Sequence, residues 1–96
     1  LAYEVSRTQV VGDQGADLIL RMGSEKTVVQ IKNLSSRVSN KAVQEIVAAK
    51  RFYGATKAIV VASSSYTRSA IELAKSNDVE LWDQSTIKRI VKKIND

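Results

Sequence analysis

The segment Lys57-Ala58-Ile59-Val60-Val61-Ala62 constrains the fold most, because five successive apolar residues leave no polar face to turn towards water. A β-strand sends alternate side chains to opposite faces, so an uninterrupted apolar run has to be covered on both. Strands of this kind lie inside α/β sheets, and this one is expected near the centre of its sheet.

Helical and strand patterns alternate around it. Ala2 to Val5 reads as a short strand, followed by a loop through Gly12, Asp13, Gln14 and Gly15. Ala16 to Met22 and Lys26 to Lys32 carry β-branched and apolar residues on either side of Gly23, Ser24 and Glu25, the pattern of a hairpin and its turn. Asn33 to Asn40 is a polar loop, and Ser39 or Asn40 can cap a helix that runs to about Tyr53 and stops at Gly54. Val43, Ile46, Val47 and Lys50 form the stripe of that helix, widened by Ala42, Ala49, Phe52 and Tyr53. The Ser63-Ser64-Ser65 run is too short for a linker and leads into a second helix, about Tyr66 to Asn77, with Ala70, Leu73 and Ala74 inward. A short strand, Val79 to Trp82, precedes a last helix opened by Asp83 or Ser85. That helix is expected to face the core with Ile87, Ile90, Val91 and Ile94 and to turn Lys88, Arg89, Lys92 and Lys93 outward. Tyr3, Phe52, Tyr53 and Trp82 are expected to fill the core. The whole is one α/β domain over residues 1–96, and the opening at Leu1 reads as that of a domain excised from a longer protein.

Two absences narrow the chemistry. Without Cys there are no disulfides or thiolate zinc sites, and without His there are no imidazole ligands or Ser-His nucleophile pairs. Oxygen ligation remains, which favours Mg²⁺ or Mn²⁺. Fifteen Lys and Arg against ten acids give a net charge of +5, compatible with a polyanionic partner and equally with an ordinary solvated surface. No stretch has the roughly 20 apolar residues of a membrane span. The domain is expected to make no membrane contact and to be cytoplasmic, although a parent protein could carry an anchor.

The hairpin brings polar groups together. Gln30 and Lys32 share one face of their strand, with Ile31 on the other. If Asp17 pairs with Gln30 or Lys32, a carboxylate, an amide and an ammonium occupy one face, whereas pairing with Ile31 would separate them. The first register is the one expected.

In this order, Gly12-Asp13-Gln14-Gly15-Ala16-Asp17, then Val29-Gln30-Ile31-Lys32, then Asn40 to Ile46 (NKAVQEI) and Phe52 to Ala55 (FYGA), the chain resembles the Mrr-like restriction endonuclease domain of the PD-(D/E)XK nuclease superfamily. The resemblance spans nearly the whole chain. It implies a restriction-endonuclease-like mixed central sheet flanked by helices, with the family's first helix missing from this chain. It implies that Asp17, Gln30 and Lys32 are catalytic and that Asp17, Gln30, the Ile31 carbonyl and, as a second carboxylate, Asp13 hold Mg²⁺, with Mn²⁺ as a substitute. Asp13 as a loop residue bonding its own turn remains an equal alternative. Lys32 would orient the attacking water and offset charge on the scissile phosphate.

By the same resemblance the partner is DNA and Gln44 supports phosphate or active-site contacts, with a surface glutamine as the equal alternative; Arg37 and Lys41, with Lys50 and Arg51, are placed by their charge to hold the phosphate backbone or else to form a solvated face. A homodimer is also considered, with target recognition elsewhere in the parent chain. The implied activity is Mg²⁺-dependent endodeoxyribonucleolytic cleavage of restriction or DNA-processing type. Two other readings stay open: a nuclease-fold module that binds DNA or assembles without cutting, and a Holliday-junction-resolvase-like enzyme. The neutral Gln30 and the missing upstream acid motivate the first, and Glu4 is not assigned to that acid's role.

Overall fold

Alternating short strands and amphipathic helices give one mixed sheet in the computed structural model, which describes residues 4–7 and 16–95. The strands are β1 (Glu4–Arg7), β2 (Leu18–Met22), β3 (Glu25–Lys32), β4 (Lys57–Ala62) and β5 (Val79–Trp82), adjacent in sequence order. β1, β2 and β3 pair antiparallel, while β3, β4 and β5 pair parallel. α1 (Asn40–Phe52) and α2 (Arg68–Ser76) make the two parallel crossovers, and α3 (Gln84–Asn95) follows β5. Two right-handed crossovers stepping in the same direction put both helices on one face of the sheet. β3 takes the middle of the sheet and β4 lies beside it, with Ala58, Ile59, Val60 and Ala62 buried.

Local chemistry sets the ends of these elements. Gly23 and Ser24 alone join β2 to β3, and the positive φ falls at Gly23, +61°, as a type II′ hairpin turn requires of its first central residue. α1 ends in a Schellman motif, in which the Ala55 N–H returns to the Lys50 carbonyl, the Gly54 N–H returns to the Arg51 carbonyl, and Gly54 takes φ +63°. Thr67 caps α2 through the Ala70 N–H. Asp83 caps α3 by accepting from the Thr86 N–H at 2.9 Å, and the Ser85 and Thr86 hydroxyls donate to the same oxygen.

The helix-covered face holds the core. Ile19, Val28, Ala58, Val60 and Val79 from the sheet meet Val43, Ile46 and Ala49 of α1 and Ala70 and Ala74 of α2. Lys26, at the start of the same β3 face, donates to the Tyr53 carbonyl at 2.8 Å and so satisfies the C-terminal end of α1. Beyond the C-terminal ends of β3 and β4 the two loops are stitched together. The Val38 N–H donates to the Ser65 carbonyl and the Thr67 N–H to the Val38 carbonyl. The Tyr66 hydroxyl lies 2.9 Å from the Val60 carbonyl and 2.8 Å from that of Trp82, and burial, then the charge of Asp83, holds its pKa above the ordinary tyrosine range.

Three expectations need correction. α3 buries none of its residues, and Val91 and Ile94 are exposed, because among the described elements the helix meets little besides β5. Val91 and Ile94 therefore do not join the core, while Ile87 and Ile90 are half-buried. Phe52 is 63% exposed in the last turn of α1, its ring edge-on to Tyr53. Trp82 is only half-buried, with its indole N–H donated to Glu80. Tyr3 and the Gly12–Gly15 loop lie outside the described residues.

Ile46 is fully buried, so Ile46→Ala is expected to cost about 2–5 kcal/mol, read as a lower urea midpoint with the m-value unchanged. Hydrogen bonds from the Thr86 N–H and from the Ser85 and Thr86 hydroxyls lower the Asp83 pKa from 3.8 to about 2. A depressed folded-state pKa stabilises above the unfolded value, and that stabilisation is lost as pH falls through the folded one. Asp83→Ala is thus expected to lower the melting temperature at pH 7, with the two proteins' melting temperatures converging between about pH 4 and pH 2.

Candidate active site

The β2–β3 register decides which side chains can meet. The paired register ends with Leu18 opposite Val29, and Asp17 is tied to the same strand, its N–H donating to the Val29 carbonyl at 2.8 Å. β4 pairs with the other edge of β3 as far as Lys32, but β2 begins at Leu18, so among the described residues no strand continues the ladder on this edge towards the end of β3. The Asp17 carboxylate takes over there: its Oδ2 accepts the Ile31 N–H at 2.7 Å, the short distance of a charge-assisted bond. The N–H and C=O of a strand residue point to the same edge, so the Ile31 carbonyl also faces this side. Its side chain lies on the opposite face and is half exposed.

Gln30 is 7% exposed, and its Oε1 is buried with no hydrogen-bond partner. An orphaned acceptor of this kind costs about 1–3 kcal/mol unless something fills its lone pairs. A hard cation would do so. Among the described residues no three His, Cys, Asp or Glu side chains cluster as metal ligands, and Asp13 lies outside those residues. The donors that do fit are all oxygens: the Asp17 carboxylate, the Gln30 amide and the Ile31 carbonyl. Such a set suits Mg²⁺ or Mn²⁺.

Lys32, the last residue of β3, shares the helix-facing side with Gln30 and lies 3.4 Å from Glu45 Oε1 of α1. A polar cavity of about 260 Å³ opens beside it, with Lys32, Ser36, Arg37, Ser39, Lys41 and Glu45 in its wall. Arg37 and Lys41 are exposed.

The other anticipated contacts fall elsewhere. Gln44 donates its amide to Asn40, whose own amide reaches Ser69 of α2. It lines a different and more apolar groove of about 620 Å³, with Val47, Phe52 and Leu73. Arg51 belongs to that groove too, and Lys50 lies near Gly54 and Ala55 at the far end of α1, so neither flanks the Lys32 cavity. Glu45 was not anticipated. The available signal was its position three residues after Ala42 and four before Ala49, on the rim of the seam that α1 turns to the sheet.

The family model Mrr_cat, described as restriction endonuclease, matches residues 1–91. No curated protein matches the chain. Among solved structures, protein AF1548, of unknown function, aligns with a TM-score of 0.71 and 16% identity over 88% of this chain and 50% of its own. The MspJI restriction endonuclease, solved in complex with a 27-mer oligonucleotide, aligns with a TM-score of 0.64 and 23% identity over 88% of this chain and 22% of its own. At these identities the likeness is one of fold. The chain thus spans half the length of one neighbour and about a fifth of the other. No helix among the described residues is long and apolar enough to cross a membrane.

If the orphaned Gln30 oxygen is a ligand, a full charge there should strengthen metal binding. Gln30→Glu is expected to bind Mn²⁺ about tenfold more tightly by calorimetry, since ligand charge tunes affinity. Its metal-free melting temperature should fall, because an unpaired carboxylate is then buried. Unchanged Mn²⁺ affinity would remove Gln30 from the ligand set.

Proposed function

The chain belongs to the Mrr-type restriction endonuclease family, and on that premise we propose that it is a Mg²⁺-dependent endodeoxyribonuclease domain that hydrolyses DNA phosphodiester bonds. The observation carrying this reading is the Asp17 carboxylate bonded to the Ile31 N–H, on a strand where the preceding residue, Gln30, holds a buried and unpartnered amide oxygen and the following residue is Lys32.

In this reading Asp17, Gln30 and the Ile31 carbonyl hold the ion. A bound divalent cation supplies an activated water and offsets charge on the phosphate. The residues' own work is positioning and electrostatics. The Ile31 N–H fixes one Asp17 oxygen and leaves the other for the metal. Lys32 orients the attacking water and balances the negative charge that grows on the phosphate oxygens. Arg37 and Lys41 hold the flanking backbone, which makes affinity depend on salt. Target choice is assigned to regions outside this domain, and the site of action to the cytoplasm.

A second reading, a DNA-binding module that does not cut, draws support from the neutral Gln30 and from the lack of a third acid among the described residues. One experiment separates the two. The full-length parent protein is incubated with supercoiled plasmid and with linear, methylated and four-way-junction duplexes, in Mg²⁺ or Mn²⁺. Cleavage that falls at least about a hundredfold in Asp17→Ala and in Lys32→Ala is expected. Unchanged turnover in those variants defeats the assignment, and metal-independent binding without any cleavage favours the module.

A further inference from the structure

Among the described residues, the Lys32–Glu45 contact is the one ion pair, in a chain with fifteen Lys and Arg and ten acids. Its side chains are 28% and 39% exposed, and pairs so open to water add little to stability. Folding alone gives no strong reason for it. Its location does, because Lys32 ends the strand on which Asp17 bonds the Ile31 N–H, and Glu45 Oε1 is the acceptor it finds among the described residues.

Both ends of the pair are held by packed backbone. Lys32 closes β3, and its carbonyl is tied by the Ser63 N–H at 3.1 Å. Glu45 sits between Ala42 and Ala49, which are 4% and 0% exposed, so the turn of α1 that carries it lies tight against the sheet. Between these fixed points runs the four-carbon lysine stem, whose rotamer freedom would otherwise scatter the ammonium. Arg37 and Lys41 line the same cavity as Glu45, yet the carboxylate pairs with Lys32.

We propose that Glu45 is a positioning residue: it holds the Lys32 ammonium in the orientation used during cleavage. The proposal rests on the nuclease reading. Glu45 touches neither substrate nor ion in this scheme and acts through Lys32. Because it also sets a negative charge in a cavity meant for a polyanion, its loss should slow the reaction without weakening DNA binding.

The test uses the full-length parent protein with plasmid DNA. Glu45→Gln is expected to lower kcat about tenfold while KM for DNA stays level or falls, because Lys32 loses its tether and the cavity loses its acid. Glu45→Asp, which keeps the charge, should recover most of the loss. In a Lys32→Ala background, followed by single-turnover kinetics, Glu45→Gln should have no further effect, the non-additivity of residues that act as a unit. NMR relaxation at the Lys32 ε-methylene should show restricted motion in wild type and in Glu45→Asp, and free motion in Glu45→Gln. A wild-type kcat in Glu45→Gln, an equal loss with and without Lys32, or equal Lys32 mobility in all three proteins overturns the proposal. If the wild-type protein does not cleave at all, the nuclease reading falls and takes the catalytic role with it. Cleavage with an unaffected Glu45→Gln instead sinks the positioning role alone.

Discussion

Strand parity in β3 is the constraint on which the rest depends. Lys26, Val28, Gln30 and Lys32 lie on the face that α1 covers, whereas Thr27, Val29 and Ile31 lie on the other. One face therefore carries a core residue, a buried amide and a lysine at each end, and the partners follow in order: the Tyr53 carbonyl for Lys26, the Val43 and Ile46 core for Val28, and Glu45 for Lys32. A slip of one residue against β2 would exchange the faces and send Gln30 and Lys32 away from α1. The two-residue turn at Gly23-Ser24 prevents that slip.

Where this ladder ends, the site begins. Past Leu18 no described strand continues beside β3 on its β2 edge, and the Ile31 N–H there would be left without a protein partner. Asp17 satisfies it with a carboxylate oxygen, so one residue both finishes the secondary structure and brings an anion to the chemistry. Gln30 shows the opposite balance. Its oxygen stays unpaired inside the protein, at a cost to folding that a bound cation would repay. Stability is thus given up at the position where binding is proposed.

The loops beyond β3 and β4 turn this strand end into a cavity. Val38 bonds to Ser65 and Thr67, and the Tyr66 hydroxyl reaches carbonyls of both β4 and β5. These bonds hold the 33–39 loop in place, so Arg37 shares a wall with Lys32 and Lys41 instead of trailing into solvent. The exposed Phe52 lies at the other end of α1 from the Lys41 that lines this cavity.

Local chemistry in the sequence determined the elements and their order. Apolar alternation marked the strands, Gly23 and Gly54 marked the points that need positive φ, and period-two parity put Gln30 and Lys32 on one face. Of the site, the hairpin made the meeting of Asp17 with the end of β3 legible, because turn length is a short-range property, but not that Asp17 would bond the Val29 carbonyl and the Ile31 N–H. Burial at the edges was not legible: Ile90 and Ile94 look like core residues by spacing, but spacing cannot say whether another element lies opposite. The Lys32–Glu45 pair and the parting of Gln44 from Arg37 and Lys41 were also beyond it, since both depend on how α1 is rotated against the sheet. That rotation is set by Ala42, Val43, Ile46 and Ala49 packing on β3 and β4, a contact between distant segments that only the tertiary structure decides.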